Sequence, residues 1–276
     1  MKNQSALSDQ LKSMFTAIVI PVSIVVSILI YMFILGNPVN FQGGDPNNHP
    51  LPDNYLGIVY KGGAIVPILM SLLIIVIVFS IERFMTLRKA TGSGRTDVFV
   101  KKVKSHLTEG SAHKAFTECD AQKGSVANVV KSALKKYVEI ENDQEMNKEQ
   151  KVLSIQKEVE EATALEVPML QKNLVILSTI ASIATLMGLL GTVMGMIKAF
   201  AALATAGAPD AIALANGISE ALINTALGIG TSAIAIIVYN YFNSKIDMLT
   251  YNMDEVGFII TQTFAAKYPN KLLVNN

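Results

Sequence analysis

The sequence has little of what disulfide frameworks and metal sites are built from. Its single cysteine, Cys119, lies in a charged stretch, which excludes a disulfide framework within the chain and a cysteine-based metal site. The three histidines, His49, His106 and His113, show no zinc-ligand spacing with cysteine or acidic neighbours. No phosphate-binding loop of the Gly-x-x-x-x-Gly-Lys-[Ser/Thr] type occurs. We therefore predict that the chain is not an enzyme and that it holds no cofactor or metal.

Charge is also scarce, since charged residues make up 16% of the chain and hydrophobic residues 51%. The net charge is +1, and no basic strip interleaved with aromatic residues suggests a nucleic-acid partner. The apolar residues are concentrated in four nearly charge-free blocks, at 17–35, 64–81, 174–200 and 221–242. Each block is about 18 residues or longer, which is enough to cross a bilayer as a helix.

The first block is longer than the apolar part of a signal peptide, and no Ala-x-Ala-like cleavage site follows it. We therefore predict that it is retained as a transmembrane helix. The connection that follows it is rich in Asn, Pro, Gly and Asp, which predicts an irregular loop with several turns.

The basic residues predict the topology. Residues 82–172 hold sixteen of the 23 Lys and Arg residues, whereas the 36–63 connection holds only Lys61 and the 201–219 connection none. Lys and Arg favour the cytoplasmic side, so both termini and the central region are predicted to be cytoplasmic. The predicted segments are a cytoplasmic tail (1–16), a transmembrane helix (17–35), a periplasmic loop (36–63), a transmembrane helix (64–81), a cytoplasmic helical region (82–173), a transmembrane helix (174–200), a periplasmic loop (201–219), a transmembrane helix (221–242) and a cytoplasmic tail (243–276).

The central region has the pattern of amphipathic helices. Apolar residues recur at three- and four-residue spacing between lysines, at Val126, Val129, Val130, Ala133, Leu134 and Tyr137. A further helical pattern starts near Lys148 and contains no glycine before the third block, which predicts one helix continuous with the third span and bent near Pro168. The predicted fold is an all-α integral membrane protein with four transmembrane helices and a long helical cytoplasmic region that extends the spans.

Small and hydroxyl residues line the third and fourth blocks. At 100° per residue, four hydroxyl residues of the third block fall within an arc of about 80°; they are Ser178, Ser182, Thr185 and Thr192. A similar arc of about 60° on the fourth block holds Ala221, Thr225, Gly228 and Ser232, with Asn224 and Thr231 adjoining. Gly188, Gly191 and Gly195 add a surface for close helix approach. Two interpretations stay open, tight helix packing and a hydrated or pore-lining face.

Glu220 is the acidic residue nearest the apolar interior of these two blocks. A carboxylate at membrane depth is costly, but the start of a helix offsets part of that cost, so a pathway entrance and a plain helix cap are both open. Lys198 is interpreted as a side chain that reaches the membrane surface, and a pair with Glu220 is compatible with the sequence. The middles of both blocks lack titratable residues. A proton path along them would therefore need a carrier on a partner.

Three motifs carry a resemblance to a known family. They are Gly188-Leu-Leu-Gly-Thr-Val-Met-Gly-Met-Ile-Lys-Ala-Phe, Gly217-Ile-Ser-Glu-Ala-Leu-Ile-Asn-Thr-Ala-Leu-Gly and Tyr239-Asn-Tyr-Phe. In this order and spacing they resemble the MotA/TolQ/ExbB proton-channel family, above all its ExbB and TolQ branch. The resemblance extends over residues 60–250.

The resemblance implies a homopentamer in the bacterial inner membrane, enclosing two single-span ExbD- or TolR-like subunits that each carry a membrane aspartate. Thr192 and Thr225 match the pore-facing threonines of the family, and Glu220 matches the glutamate at the outer end of the same helix. Proton passage would drive rotation of the inner dimer and, through a TonB- or TolA-like protein, work at the outer membrane. The predicted function is the wall of a proton motor that serves TonB-dependent transport.

The chain departs from the usual three-span pattern of ExbB by its first span and the loop after it. Packing around the pentamer and contact with a periplasmic partner are both open roles for this extra part. Lys198 could tune proton entry or lie among lipid headgroups. The alternatives to a TonB-linked motor are a TolQ-like subunit, a gliding- or flagellar-type stator, and a non-conducting membrane scaffold.

Overall fold

A computed structural model of the chain describes residues 2–141, 143–204 and 210–267, with side chains from residue 15 onward. The helices are α1 (Lys2–Leu29), α2 (Tyr55–Tyr60), α3 (Val66–Thr91), α4 (Thr96–Thr108), α5 (Ala112–Gln122), α6 (Gly124–Glu141), α7 (Lys148–Gln171), α8 (Leu174–Leu203) and α9 (Ala211–Lys267). A π-helical turn at Ile30–Leu35 follows α1, and short 3-10 turns lie at Pro38–Asn40, Gln42–Gly44 and Gly63–Ile65. Over the described residues there is no β-strand, only an isolated antiparallel bridge between Phe41 and Pro50.

Four helices in the described part of the chain are long and apolar enough to cross a membrane. They are Phe15–Leu35, Gly63–Thr108, Leu174–Leu203 and Ala211–Lys267, and each contains the whole of one of the four predicted blocks. The predicted all-α membrane fold with four spanning helices is therefore confirmed. Which side of the membrane each connection faces stays a prediction.

The chain divides into two compact units, residues 1–82 with 173–240 and residues 83–172 with 241–276. The first unit contains the predicted spans except residues 241–242 of the fourth, and the second contains the predicted cytoplasmic helices. Parts of the predicted connection 201–219 and of the predicted tail 243–276 lie outside the described residues, as does Lys271.

In the first unit, the connection after α1 is more ordered than its turn-rich composition predicts. Asn40 is buried and donates from its amide to the carbonyls of Ile34 and Leu35, at 2.8 and 2.9 Å. These bonds satisfy backbone acceptors at the end of a helix, where no partner within the helix is left. The ring of Tyr60 stacks on Tyr31 and meets the edge of Phe41, with centroids 4.7 and 5.3 Å apart. The connection is thus fastened to the end of the first span.

A helical break separates α7 from α8, so the predicted continuous helix through the third span is wrong. Asn173 has φ +65° and ψ −6°, in the left-handed region, and α8 begins directly after it. Asn tolerates this conformation better than most residues, because its short polar side chain can bond locally. The sequence contains no Gly or Pro at this point that would have predicted the break. Pro168 lies within α7, which continues through it to Gln171.

The helix of the fourth span begins earlier than the apolar block. It starts at Ala211, where the Oδ1 atom of Asp210 accepts from the amides of Ile212 and Ala213 at 3.0 Å each. Asp210 is therefore the cap of this helix. Glu220 lies within α9, nine positions after its first residue, so the interpretation of Glu220 as a helix cap is wrong.

The second unit is a helical bundle built around α6. All six residues of the predicted apolar face are buried, with exposed fractions of 2% or less. The Tyr137 ring meets Phe264 of α9 edge-on at 4.9 Å between centroids. Gly257 of α9 lies so close to Val159 of α7 that a β-carbon on it would come within 2.4 Å of the valine side chain. The amphipathic pattern therefore predicted the core of this unit correctly.

We predict that the conformation of Asn173 can be tested by two substitutions. Asn173→Gly keeps the left-handed backbone at no steric cost, whereas Asn173→Val places a β-branched side chain there at about 1–2 kcal/mol. The valine variant should melt about 2–8 °C below the glycine variant in detergent. Both variants lose the long side-chain hydrogen bonds to Thr16 and Glu82, at 3.4 and 3.5 Å, so their difference isolates the backbone. Equal melting temperatures would contradict the assigned break.

Candidate functional site

Helices α8 and α9 pack backbone against backbone in the first unit. A β-carbon on Gly228 would lie 2.6 Å from the Ala184 carbonyl oxygen and 2.7 Å from the Cα of Gly188. One on Gly195 would lie 2.7 Å from the backbone nitrogen of Ala221, and one on Gly191 would lie 2.4 Å from the Cβ of Asn224. Small residues permit this approach in membrane helices. We call this contact the glycine seam; it comprises Gly188, Gly191, Gly195, Gly217 and Gly228, with Ala184, Ala199 and Ala221.

Two polar side chains of α9 bond to backbone carbonyls beside the seam. Ser232 donates to the Ala181 carbonyl on α8 at 2.5 Å, and Asn224 donates from Nδ2 to the Gly62 carbonyl at 2.8 Å. Both side chains are buried. Of the two interpretations of these residues and the glycines, the geometry favours helix packing.

The hydroxyls of Thr192 on α8 and Thr225 on α9 lie in direct hydrogen-bond contact. Each hydroxyl also lies near a carbonyl of its own helix, with Thr225 3.1 Å from the Ala221 oxygen and Thr192 3.3 Å from the Gly188 oxygen. Both threonines are half-buried. A hydroxyl offers one donor and two acceptor positions, so this pair can extend a hydrogen-bond chain but cannot itself hold a proton as an acid or base.

The other predicted hydroxyls do not join the threonine pair. Ser182 and Thr185 are exposed on α8, and Ser178 is half-buried with its hydroxyl donating to the Val175 carbonyl at 2.9 Å. By helical position they follow the same side of α8 as Thr192. The threonine pair therefore lies at one end of a hydroxyl stripe whose middle is exposed on the surface of the described chain.

Glu220 and Lys198 form an ion pair between α9 and α8. The Lys198 Nζ atom lies 2.6 and 2.9 Å from the two carboxylate oxygens. The Glu220 side chain is 11% exposed and that of Lys198 54%. The carboxylate rests against Gly63, where a β-carbon would come within 2.5 Å of Oε1. Because Gly63 has φ +74°, both its conformation and this contact require glycine.

The ion pair and the threonine pair lie on opposite sides of the glycine seam. Glu220 and Thr225 are five positions apart on α9, which turns them by about 140°, and Lys198 and Thr192 are six positions apart on α8, or about 120°. The Gly62–Gly63 turn contacts the side with the ion pair. The structure thus brings Thr192 and Thr225 together, and it does not bring Glu220 to them within the chain.

Sequence reasoning missed the contribution of Gly62 and Gly63. Asn224 bonds to the first and Glu220 rests on the second, although more than 150 residues separate them in the chain. The available signal was the Gly-Gly pair immediately before an apolar helix, which is typical of a close backbone approach.

In the second unit, burial raises the pKa of the Cys119 thiol to about 12, which leaves it unreactive at neutral pH. Among the described residues, no group of three or more His, Cys, Asp and Glu side chains could hold a metal ion.

Comparison with known proteins places the glycine seam, the threonine pair and the Lys198–Glu220 ion pair within one matched region. Residues 121–255 match the model of the MotA/TolQ/ExbB proton channel family. A putative biopolymer transport protein ExbB homolog of Methanothermobacter thermautotrophicus is 28% identical over 198 residues, which cover 70% of this chain and 66% of the relative. The Tol-Pal system protein TolQ of Pseudomonas aeruginosa is 39% identical over 88 residues, covering 32% and 38%. The biopolymer transport protein ExbB of Helicobacter pylori is 42% identical over 81 residues, covering 29% and 56%. The matches thus span about two thirds or less of each relative.

We predict that two glycines two positions apart on α9 respond in opposite ways to alanine. Gly228→Ala forces the seam apart and should lower the free energy of unfolding by about 1–3 kcal/mol. Apart from its chain neighbours and the backbone of its own helix, Gly230 has no described atom within 4 Å of its β-carbon position, so Gly230→Ala should stabilise α9 by up to about 1 kcal/mol through helix propensity. Melting of the full chain in detergent measures both. A Gly228→Ala variant as stable as Gly230→Ala would contradict the close packing.

Proposed function

We propose that this chain, of which residues 121–255 match the MotA/TolQ/ExbB proton channel family, forms the wall of a proton-channel motor and that a partner supplies the protonatable group. The wall needs hydrogen-bonding side chains that do not themselves capture the proton. It also needs no catalytic residue, so the proposed role is transport rather than enzymatic catalysis.

The observation that carries this proposal is the contact between the Thr192 and Thr225 hydroxyls. Asp, Glu, His, Lys and Arg are absent from the sequence of α8 between Leu174 and Ile197 and of α9 between Ala221 and Ser244. A proton that passed this pair would have to be carried by a group outside the chain. The exposed hydroxyls of Ser182 and Thr185 extend the same side of α8, where a second protein could meet them.

The proposed assembly is a homopentamer that encloses single-span ExbD- or TolR-like subunits bearing the membrane carboxylate. In this assembly the threonine pair of each protomer faces the enclosed helices. The proposed location is the inner membrane of a bacterial cell, with both termini and the second unit in the cytoplasm. The concentration of Lys and Arg in residues 82–172 supports this orientation.

The proposed use of the proton flux is TonB-dependent transport at the outer membrane. The ExbB names of the relatives support this use, and the TolQ match supports a Tol-type motor as the alternative. The same wall serves either motor, because the coupling protein lies outside this chain. One charge that falls through 100 mV releases about 2.3 kcal/mol, which is available to either use.

We predict that Thr225→Val reduces proton flux in liposomes that contain this chain and an ExbD-like subunit. Valine keeps the shape of threonine and removes the hydroxyl that meets Thr192. Loss of one hydrogen bond of about 1–2 kcal/mol from the path corresponds to a reduction of about five- to thirtyfold.

Thr179→Val is the matched control, because the exposed Thr179 hydroxyl bonds only within its own helix, to the Val175 carbonyl at 2.7 Å. This variant should conduct like the native chain. Equal flux in Thr225→Val and Thr179→Val would rule out a path through the threonine pair. Absence of flux from every assembled complex, with intact assembly, would favour the scaffold instead.

A further inference from the structure

Both carboxylate oxygens of Glu220 bind the Lys198 ammonium. Both Nζ–oxygen distances, 2.6 and 2.9 Å, are those of charge-assisted hydrogen bonds. The carboxylate is nearly buried, whereas about half of the lysine side chain is exposed. The anion is thus part of the protein interior, and the cation reaches it on a flexible stem from the surface.

A second oxygen acceptor, without a donor, belongs to the residue one helical turn after Glu220 on α9. Asn224 is fully buried, and its Oδ1 atom accepts no hydrogen bond from the described part of the chain. The assignment of its amide is set by Nδ2, which donates to the Gly62 carbonyl at 2.8 Å. A buried acceptor without a donor is costly, so such an atom calls for an explanation.

Glu220 and Asn224 are close neighbours in space. They are four positions apart on α9, which puts their β-carbons about 5–6 Å apart on one face. Both side chains also meet the same turn, Glu220 at Gly63 and Asn224 at Gly62. Together the two side chains bring three oxygen atoms to this face of α9, with one net negative charge before Lys198 is counted.

We propose that the Glu220 carboxylate, with the Asn224 amide oxygen one turn along α9, forms a site for a hard monovalent cation such as Na⁺, and that the Lys198 ammonium, which the carboxylate binds, keeps Na⁺ out. Carboxylate and amide carbonyl oxygens are the groups that replace the water shell of such ions, and a fixed positive side chain is an effective barrier to free cations. Once Lys198 neutralises Glu220, a second positive charge beside it gains no net attraction.

The site stands on the contacts of Lys198, Glu220 and Asn224 and does not require the proposed proton path. If the proposed proton path operates, Lys198 is a residue that determines ion specificity, because it prevents Na⁺ from binding to the Glu220 carboxylate. Its place on the opposite side of the glycine seam leaves the threonine pair unchanged when Lys198 is replaced.

The experiment measures equilibrium binding of radiolabelled Na⁺ to the purified full chain in detergent, with choline chloride holding the ionic strength constant. Lys198→Met removes the charge and keeps the length of the side chain, and it should bind Na⁺ about tenfold or more tightly than the native chain. Lys198→Arg is the matched control, since it retains a cation at the site and should bind no more than the native chain. The double variant Lys198→Met with Glu220→Gln should lose the binding.

Circular dichroism establishes that each variant is folded, and Lys198→Ala provides a second uncharged variant if the methionine disturbs packing. Binding by Lys198→Met or Lys198→Ala that disappears with Glu220→Gln supports the site. Absence of binding in the folded uncharged variants, or equal binding by the native chain, overturns it. Because no proton flux is involved, failure here leaves the test of Thr225→Val unaffected, and the reverse also holds.

Discussion

The glycine seam between α8 and α9 is the constraint on which the rest of the first unit depends. Membrane helices gain little from the hydrophobic effect against lipid, so their association relies on close contact and on hydrogen bonds between them. Here a single β-carbon at Gly228 would fall within 2.6 Å of a backbone oxygen on the other helix. Threonine has one of the shortest polar side chains, and the hydroxyls of Thr192 and Thr225 can meet only because the backbones are this near. The same register brings Lys198 to Glu220. Packing at the seam therefore sets the geometry of both polar pairs.

The two sides of the seam differ in electrostatic character, and the difference fits the proposed use of each. The side of Thr192 and Thr225 is polar without titratable groups, so it can hydrogen-bond to a proton carrier without holding a competing charge. A fixed carboxylate on that side would attract and trap a cationic intermediate. Glu220 lies instead on the side of the Gly62–Gly63 turn, where Lys198 neutralises it. A charge that is nearly buried is strongly destabilising when no opposite charge lies beside it, and the Lys198 ammonium supplies that opposite charge here.

The features that could be predicted from the sequence are those that depend on local composition. The four apolar helices and the buried face of α6 follow from hydrophobic length and period alone. The ends of the helices could not be predicted from hydrophobic length and period, because the helices continue beyond the apolar blocks and each end depends on a single residue. Asp210 caps α9 ten residues before Glu220. The helical conformation is interrupted at Asn173, directly before α8, although no glycine or proline stands there. The contact of Thr192 with Thr225 agrees with the sequence pattern, which placed each threonine in an arc of small and hydroxyl residues on its own helix. The separation of Glu220 from that pair could not be foreseen, since it depends on which faces of α8 and α9 the seam buries.

The connection before α3 shows how the additional first span reaches the candidate site. Its turn at Gly62–Gly63 carries no functional side chain, yet it receives the Asn224 amide and supports the Glu220 carboxylate. The neighbouring residues hold this turn in place: Lys61 donates to the carbonyls of Pro46 and Asn47, and Tyr31 of the first span donates to the Tyr60 carbonyl. The burial of Glu220 therefore depends on a turn that is anchored to the first span. An additional helix positioned in this way can govern the environment of a carboxylate on α9 without contributing a charge of its own.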